Sequence, residues 1–171
     1  MTDVDALSEP AQSLREPREL LLAYLDAYRA AVLQKLDGLS GDELRTSRLP
    51  SGWTPLELLN HLAYVELRWV HWGFNGERLD SPWADAGPGG RWHVPGGRSA
   101  ADVRRFFMDT CARSRKIIEG AGLTQEAATG GRFSGQPPAL SWILVHLLQE
   151  YARHLGHLDI ARELADGTVG E

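Results

Sequence analysis

The sequence predicts an all-α protein, a four-helix bundle with a long irregular flap between its second and third helices. Four long segments repeat their apolar residues at helical spacing, no segment reads as a credible strand, and no internal repeat divides the chain. At 171 residues, with 43% hydrophobic and 24% charged residues, the chain suits one domain with a full core. The domain is expected over residues 16–171, after a polar, mobile lead-in over residues 1–15.

The first helix is expected to begin at Glu16-Pro17, because proline at the first helical position gives up an N–H that has no helical acceptor there. Leu21, Leu22, Leu25, Tyr28, Ala31, Val32 and Leu36 form its apolar stripe, and Gly38 is the stop. Leu39 to Gly52 reads as a connector with turn chemistry. The second helix opens on Thr54 as N-cap, Pro55 at the first position and Glu57 completing a capping box, with Trp53 placed to staple onto Leu58. It is expected to run to Gly73, with Glu57, His61, Val65, Arg68 and Trp72 along one face.

Gly73 to Arg98 carries no period and holds seven glycines, three prolines, Trp83, Trp92 and His93. Aromatics among the glycines favour an ordered flap over a tether; a surface insertion is the alternative. Ser99 with Asp102 opens the third helix in the same capping style, and Gly120 or Gly122 closes it. Cys111 in this helix is expected to be a small buried apolar residue. After a connector over Leu123 to Pro138, the fourth helix is expected from Ala139 to Ala165, before Gly167.

Composition excludes several function classes. Net charge is −5, and no basic run would track nucleic acid or an anionic membrane. No apolar run approaches the roughly 20 residues of a membrane span. The N-terminus lacks an apolar signal core, so a cytoplasmic location is expected. The single Cys111 rules out an internal disulfide and a cysteine-rich zinc site.

Candidate chemistry concentrates in the fourth helix. His146, Glu150, His154 and His157 share one helical stripe among Leu and Ile. A carboxylate and an imidazole one turn apart make a two-point chelate that needs a third ligand, and bundles build metal sites from facing helices. His61, mid-helix and beside the apolar stripe of the second helix, is the candidate. The expected metal site is His61, Glu150 and His154. Two imidazoles and a carboxylate suit zinc foremost, with nickel, iron or manganese also admissible, and leave a coordination position open. The bland alternative is a salt bridge from Glu150 to Arg68 or Arg153, because a bare buried carboxylate costs roughly several kcal/mol. His146 or His157 can replace a proposed ligand, and His157 can instead touch substrate. His71 and His93 are weaker candidates. Arg68 lies two turns along from His61. Either its stem covers the aromatics, or its guanidinium binds a carboxylate beside the metal. Trp69, Trp72, Trp83 and Trp92 would wall such a pocket.

The blocks GWTPLELLNHLAYVE (52–66) and SWILVHLLQEYARHLGHLDIARE (141–163) resemble the DinB-like four-helix bundles that include the mycothiol-dependent enzymes of actinobacteria. The resemblance runs from Leu20 to Glu163. It implies one metal-binding histidine from the second helix and two ligands four residues apart from the fourth. These fall on His61, Glu150 and His154, where the spacing also pointed. The expected activity is that of a thiol S-transferase or isomerase in which a divalent metal activates a low-molecular-weight thiol such as mycothiol for attack on an electrophile. Arg68 and Trp72 are expected to bind the thiol or its partner substrate, and His157 and Arg68 to assist as catalytic groups. The expected partners are these small molecules, with no nucleic acid and no membrane; a homodimer is allowed. A hydrolase using metal-bound water, with His157 or His146 as base, and a non-catalytic binding module stay open as alternatives.

Overall fold

The computed structural model describes residues 9–169. Residues 1–8 of the expected lead-in lie outside the described residues, and residues 9–16 form no helix. The helices are α1 (Pro17–Leu36), one-turn α2 (Gly41–Leu44), α3 (Pro55–Glu66), α4 (Ala100–Glu119) and α5 (Leu140–Asp166). α1 packs chiefly on α5 and α3 on α4, while α3 also touches α5. The result is the expected all-α bundle, consistent with the DinB-like fold; among the described residues only isolated β-bridges occur, and no strand. None of these helices is long and apolar enough to cross a membrane.

α3 and α4 start where local side chains satisfy their first N–H groups, and α1 starts on Pro17, which has no N–H to satisfy. Thr54 Oγ1 accepts from the Glu57 N–H at 3.3 Å while Glu57 accepts from the Thr54 N–H at 2.8 Å, and Ser99 with Asp102 repeats the box at α4. The connector after Leu39 holds a helical turn, because Ser40 and Glu43 form a third such box. α5 has no side-chain cap. Its first N–H groups are taken by the connector instead, Leu140 donating to the Gln125 carbonyl and Ser141 to that of Leu123. It ends on Gly167, whose φ of 78° is open to glycine at little cost. Leu25, Val32, Leu62, Val103, Ile143, Leu144, Leu147 and Leu158 are fully buried between the helices.

α3 does not run on as an α-helix to Gly73. From Leu67 to Phe74 it becomes π-helical, with the Asn75 N–H reaching back five residues to Val70. Gly73 lets the α4–α5 connector approach this stretch. A Cβ there would lie 3.0 Å from Phe133 Cε2 and 3.2 Å from Arg132 Cδ. At the far end of α1, Asp159 pairs with Lys35 at 2.8 Å rather than with Arg162 or Arg153, because Arg162 donates to the Lys35 and Asp37 carbonyls that end α1.

Two buried polar clusters accompany the core. Glu66, at 0% exposure, accepts from Arg29 Nε and Nη2 at 2.9 and 2.7 Å and from the Tyr151 hydroxyl at 2.8 Å, with Cys111 Sγ 3.8 Å away. Cys111 is buried as expected, and burial together with the neighbouring Glu66 pushes its thiol pKa up, away from thiolate chemistry. His71 is also fully buried, between Glu77 on Nδ1 (3.2 Å) and Ser114 on Nε2 (3.1 Å), a structural role.

Glu66→Ala would leave Arg29 Nε and Nη2 buried without their acceptor, only Nη1 keeping Asp26 at 3.0 Å, and is expected to destabilise the fold by about 3–5 kcal/mol in urea unfolding. Tyr151→Phe, which removes one donor, should cost only about 1–2 kcal/mol. Equal losses in the two variants would mean that the ion pair does not anchor this cluster.

Burial holds the His71 imidazole below its usual range, with the Arg113 charge acting in the same direction against Glu77 and the Thr110 carbonyl. On unfolding it returns to about 6.5, so the unfolded chain takes up the proton first. This contribution is fully present above about pH 6.5 and is lost as pH falls through the window below it, by at most about 1.4 kcal/mol per pH unit. Compared by urea unfolding at about pH 7.5 and about pH 5.5, His71→Gln should lose less stability on acidification than the parent. An equal loss would assign the pH dependence to other groups.

Candidate metal centre

His61 on α3 and Glu150 and His154 on α5 meet where the two helices touch. One ligand atom from each lies within 4.8 Å of the others. The His61 and His154 rings stand edge to face with centroids 5.1 Å apart. Glu150 spans a pair of imidazoles one turn to either side. Its Oε2 lies 3.2 Å from His154 Nε2 and its Oε1 3.2 Å from His146 Nε2. The hydrogen bond from His154 holds the Glu150 carboxyl below its usual range despite partial burial. Neither Arg68 nor Arg153 pairs with Glu150 among the described residues, so the salt bridge weighed as the alternative is not formed.

His61 is aligned by a carboxylate from the flap. Asp85 Oδ2 accepts from His61 Nδ1 at 2.8 Å, which fixes the tautomer and leaves Nε2 as the donor atom facing α5. Asp85 is itself only 3% exposed and is held by Arg68, whose Nη1 donates to Oδ1 at 2.6 Å and Nη2 to Oδ2 at 3.1 Å. Burial alone would raise the Asp85 carboxyl; the hydrogen bonds from His61 and Arg68 outweigh it and hold the group ionised. Burial in turn lowers the His61 imidazole, which keeps it neutral as a ligand must be.

The flap from Gly73 to Arg98 is ordered by its own backbone. Ala86 and Trp92 form an antiparallel bridge, His93 N–H donates to the Asp85 carbonyl at 2.7 Å, and Gly89 and Gly90 turn the chain at φ of 73° and 76°. Asn60, one residue before His61, donates to the His93 carbonyl at 2.8 Å and fastens this small hairpin to α3. Two hairpin residues thereby reach the same imidazole. Asp85 takes its Nδ1, and Trp92 stacks on its face at 4.3 Å and 18°. Trp92 also meets His154 edge-on and borders a cavity of about 230 Å³ lined by Ser51, Trp53, Gly90 and Arg91.

Of the other expected residues, His157 stands exposed at the rim, its ring 6.0 Å from His154 and 6.1 Å from Trp53. Trp53 packs on Trp92 and His157, where the sequence had suggested a staple onto Leu58. Arg68 is 4% exposed, and Asp85 and the Pro82 carbonyl take its donors, so it faces the protein rather than a substrate carboxylate. Trp72 lies against Gly131 of the α4–α5 connector, where a Cβ would come within 2.9 Å of its Nε1. No ring contact joins Trp72 to the donor set among the described residues. Asp85 escaped the sequence reading because nothing in its local pattern marks it. The one usable signal was the GPGG turn at 87–90, which, read as a hairpin, sets residue 86 opposite residue 92.

The donor set fits a borderline divalent ion on its own chemistry. Two imidazoles and a carboxylate converge, one imidazole is oriented by an outer carboxylate, and His154 Nδ1 is buried without a partner. The family model described as mycothiol-S-transferase matches residues 20–167. This chain belongs to the mycothiol S-transferase family. A crystal structure of a conserved protein from Enterococcus faecalis superposes with a TM-score of 0.63 over 91% of this chain and 100% of that one, at 14% identity, a likeness of fold alone. No curated protein matches.

Asp85→Asn is expected to weaken divalent-metal binding by about 10–100-fold, since the outer partner that orients a ligating histidine commonly carries that much affinity. Competition against a chromogenic chelator measures it; unchanged affinity would remove His61 from the ligand set.

Proposed function

We propose that this protein is a divalent-metal-dependent mycothiol S-transferase, with His61, Glu150 and His154 as the metal ligands. The observation that carries the reading is the convergence of these three side chains, one aligned by Asp85, in a chain of that family. A divalent ion held there, zinc foremost, with a coordination position left open, would bind the thiol as thiolate and so supply a nucleophile near neutral pH.

The protein's own groups do the rest. Asp85 keeps the His61 Nδ1 proton in place, and Arg68 holds Asp85, so Arg68 acts as a positioning residue. Trp92 and Trp53 cover one flank and reduce access of water. His157, at the open rim, is assigned the proton released by the entering thiol. The partial desolvation it still has at the rim and the nearby Arg153 charge lower its pKa below the usual imidazole range, which favours the unprotonated ring at neutral pH. In the transfer itself a sulfur–carbon bond forms at the electrophile as the bond to the leaving group breaks. The leaving group departs with the electron pair.

Elemental analysis of untagged protein tests the metal. About one divalent ion per chain, lost in Glu150→Ala, is expected, and full occupancy in the variant would refute the ligand assignment. Mycothiol consumed in step with chlorodinitrobenzene, and a rate reduced by about 10²-fold or more in His61→Ala, tests the reaction. Turnover that proceeds equally without thiol would replace this reading with hydrolysis.

A further inference from the structure

Arg68 was the arginine that the sequence offered for a substrate carboxylate, and Asp85 occupies it. A second arginine on this side of the bundle is differently placed. Arg132, in the α4–α5 connector, lays its guanidinium on Trp69 at 4.1 Å and lies 5.8 Å from Trp83 and 5.9 Å from Phe133. Its Nε is buried and has no hydrogen-bond partner, and no carboxylate pairs with it among the described residues. Its stem is held by close approach to Gly73 of the π-helical stretch. The interior arginines Arg29 and Arg68 each have a carboxylate in contact, Glu66 and Asp85. Arg132 has none, and the like charge of Arg68 acts against it.

A half-buried guanidinium without an acceptor is a costly arrangement. Stacking on Trp69 uses only the face of the group. Its N–H donors lie in the plane and stay free for a two-pronged contact with an anion. The site is joined to the donor set by continuous contact. Trp69 touches the His146 ring at 4.0 Å, and His146 Nε2 lies 3.2 Å from Glu150.

We infer that Arg132, with Trp69, Trp83 and Phe133, forms a subsite for the carboxylate of a flat, unsaturated electrophile whose reacting carbon lies toward Glu150. The assignment to the electrophile rests on the transferase reading above. It is favoured because these four side chains offer a cation and aromatic faces but no acceptor for the hydroxyls of a sugar-borne thiol.

Binding is tested first, with benzoate and its neutral isostere benzamide titrated into the full-length protein and read by tryptophan fluorescence. Benzoate should bind about tenfold or more tightly than benzamide, and Arg132→Gln should abolish the difference, while Arg132→Lys keeps part of it. The exposed Arg153→Gln should keep the full preference. Benzoate affinity equal in the parent and Arg132→Gln would overturn the subsite, because the anion would then be held elsewhere, including by a metal. Turnover is tested second, with mycothiol and either 4-chloro-3-nitrobenzoate or chlorodinitrobenzene. Chloride leaves as the sulfur–carbon bond forms in both. The ratio of kcat/KM for the charged over the neutral electrophile should fall about tenfold in Arg132→Gln, through KM for the acid. A rise in the KM of the thiol alone would overturn the assignment to the electrophile. If neither electrophile reacts, the transferase reading fails while the benzoate titration still decides the subsite.

Discussion

The site depends on one carboxylate. Asp85 is almost wholly out of water, and a bare ionised carboxylate there would cost roughly several kcal/mol. Its position is tolerated because Arg68 grips both oxygens and His61 donates to one of them. The same contacts have a second effect. They decide which nitrogen of His61 carries the proton, which way the ring points, and where the flap closes on α3. A structural solution to a buried charge and the orientation of a proposed metal ligand are one arrangement.

The π-helical stretch is the second constraint. Within one turn of the π-helical stretch Leu67–Phe74, Arg68 reaches Asp85, Trp69 reaches His146 and His71 reaches Ser114. Gly73 and Gly131 then allow the α4–α5 connector to lie against it, which brings Arg132 onto Trp69. The flap and this connector thus approach the donor helices from separate stretches of chain. One presents a carboxylate already matched to its cation, the other a cation with no counterion among the described residues.

Much of the architecture was legible. The periods of α1, α3, α4 and α5, the boxes at Thr54 and Ser99 and the stop at Gly167 depend on residues within a turn of each other, and they stand as read. The pairing of Glu150 and His154 on one stripe follows from the same local spacing, while the approach of His61 to within 4.8 Å of them depends on which helices face each other. Partners from distant segments are of another kind. Of the two readings open for Arg68, a ligand carboxylate or cover over the aromatics, the fold supplies the second, with the guanidinium 4.5 Å over Trp83 and its donors on Asp85, seventeen residues on. Asp159 pairs across to Lys35 of α1. Trp53 packs on Trp92. Each of these partners comes from another segment of the chain, which local spacing does not show.

The sequence by itself determined the helices, their ends and the types of donor on their faces, because hydrogen bonding at fixed spacing and the energetics of caps act over a few residues. Only the tertiary structure decided which buried charges are matched. Arg29 finds Glu66, Arg68 finds Asp85, and Arg132 finds no carboxylate among the described residues. Such pairings form between segments far apart in the chain, and desolvation gives them their weight only once the core has closed around them.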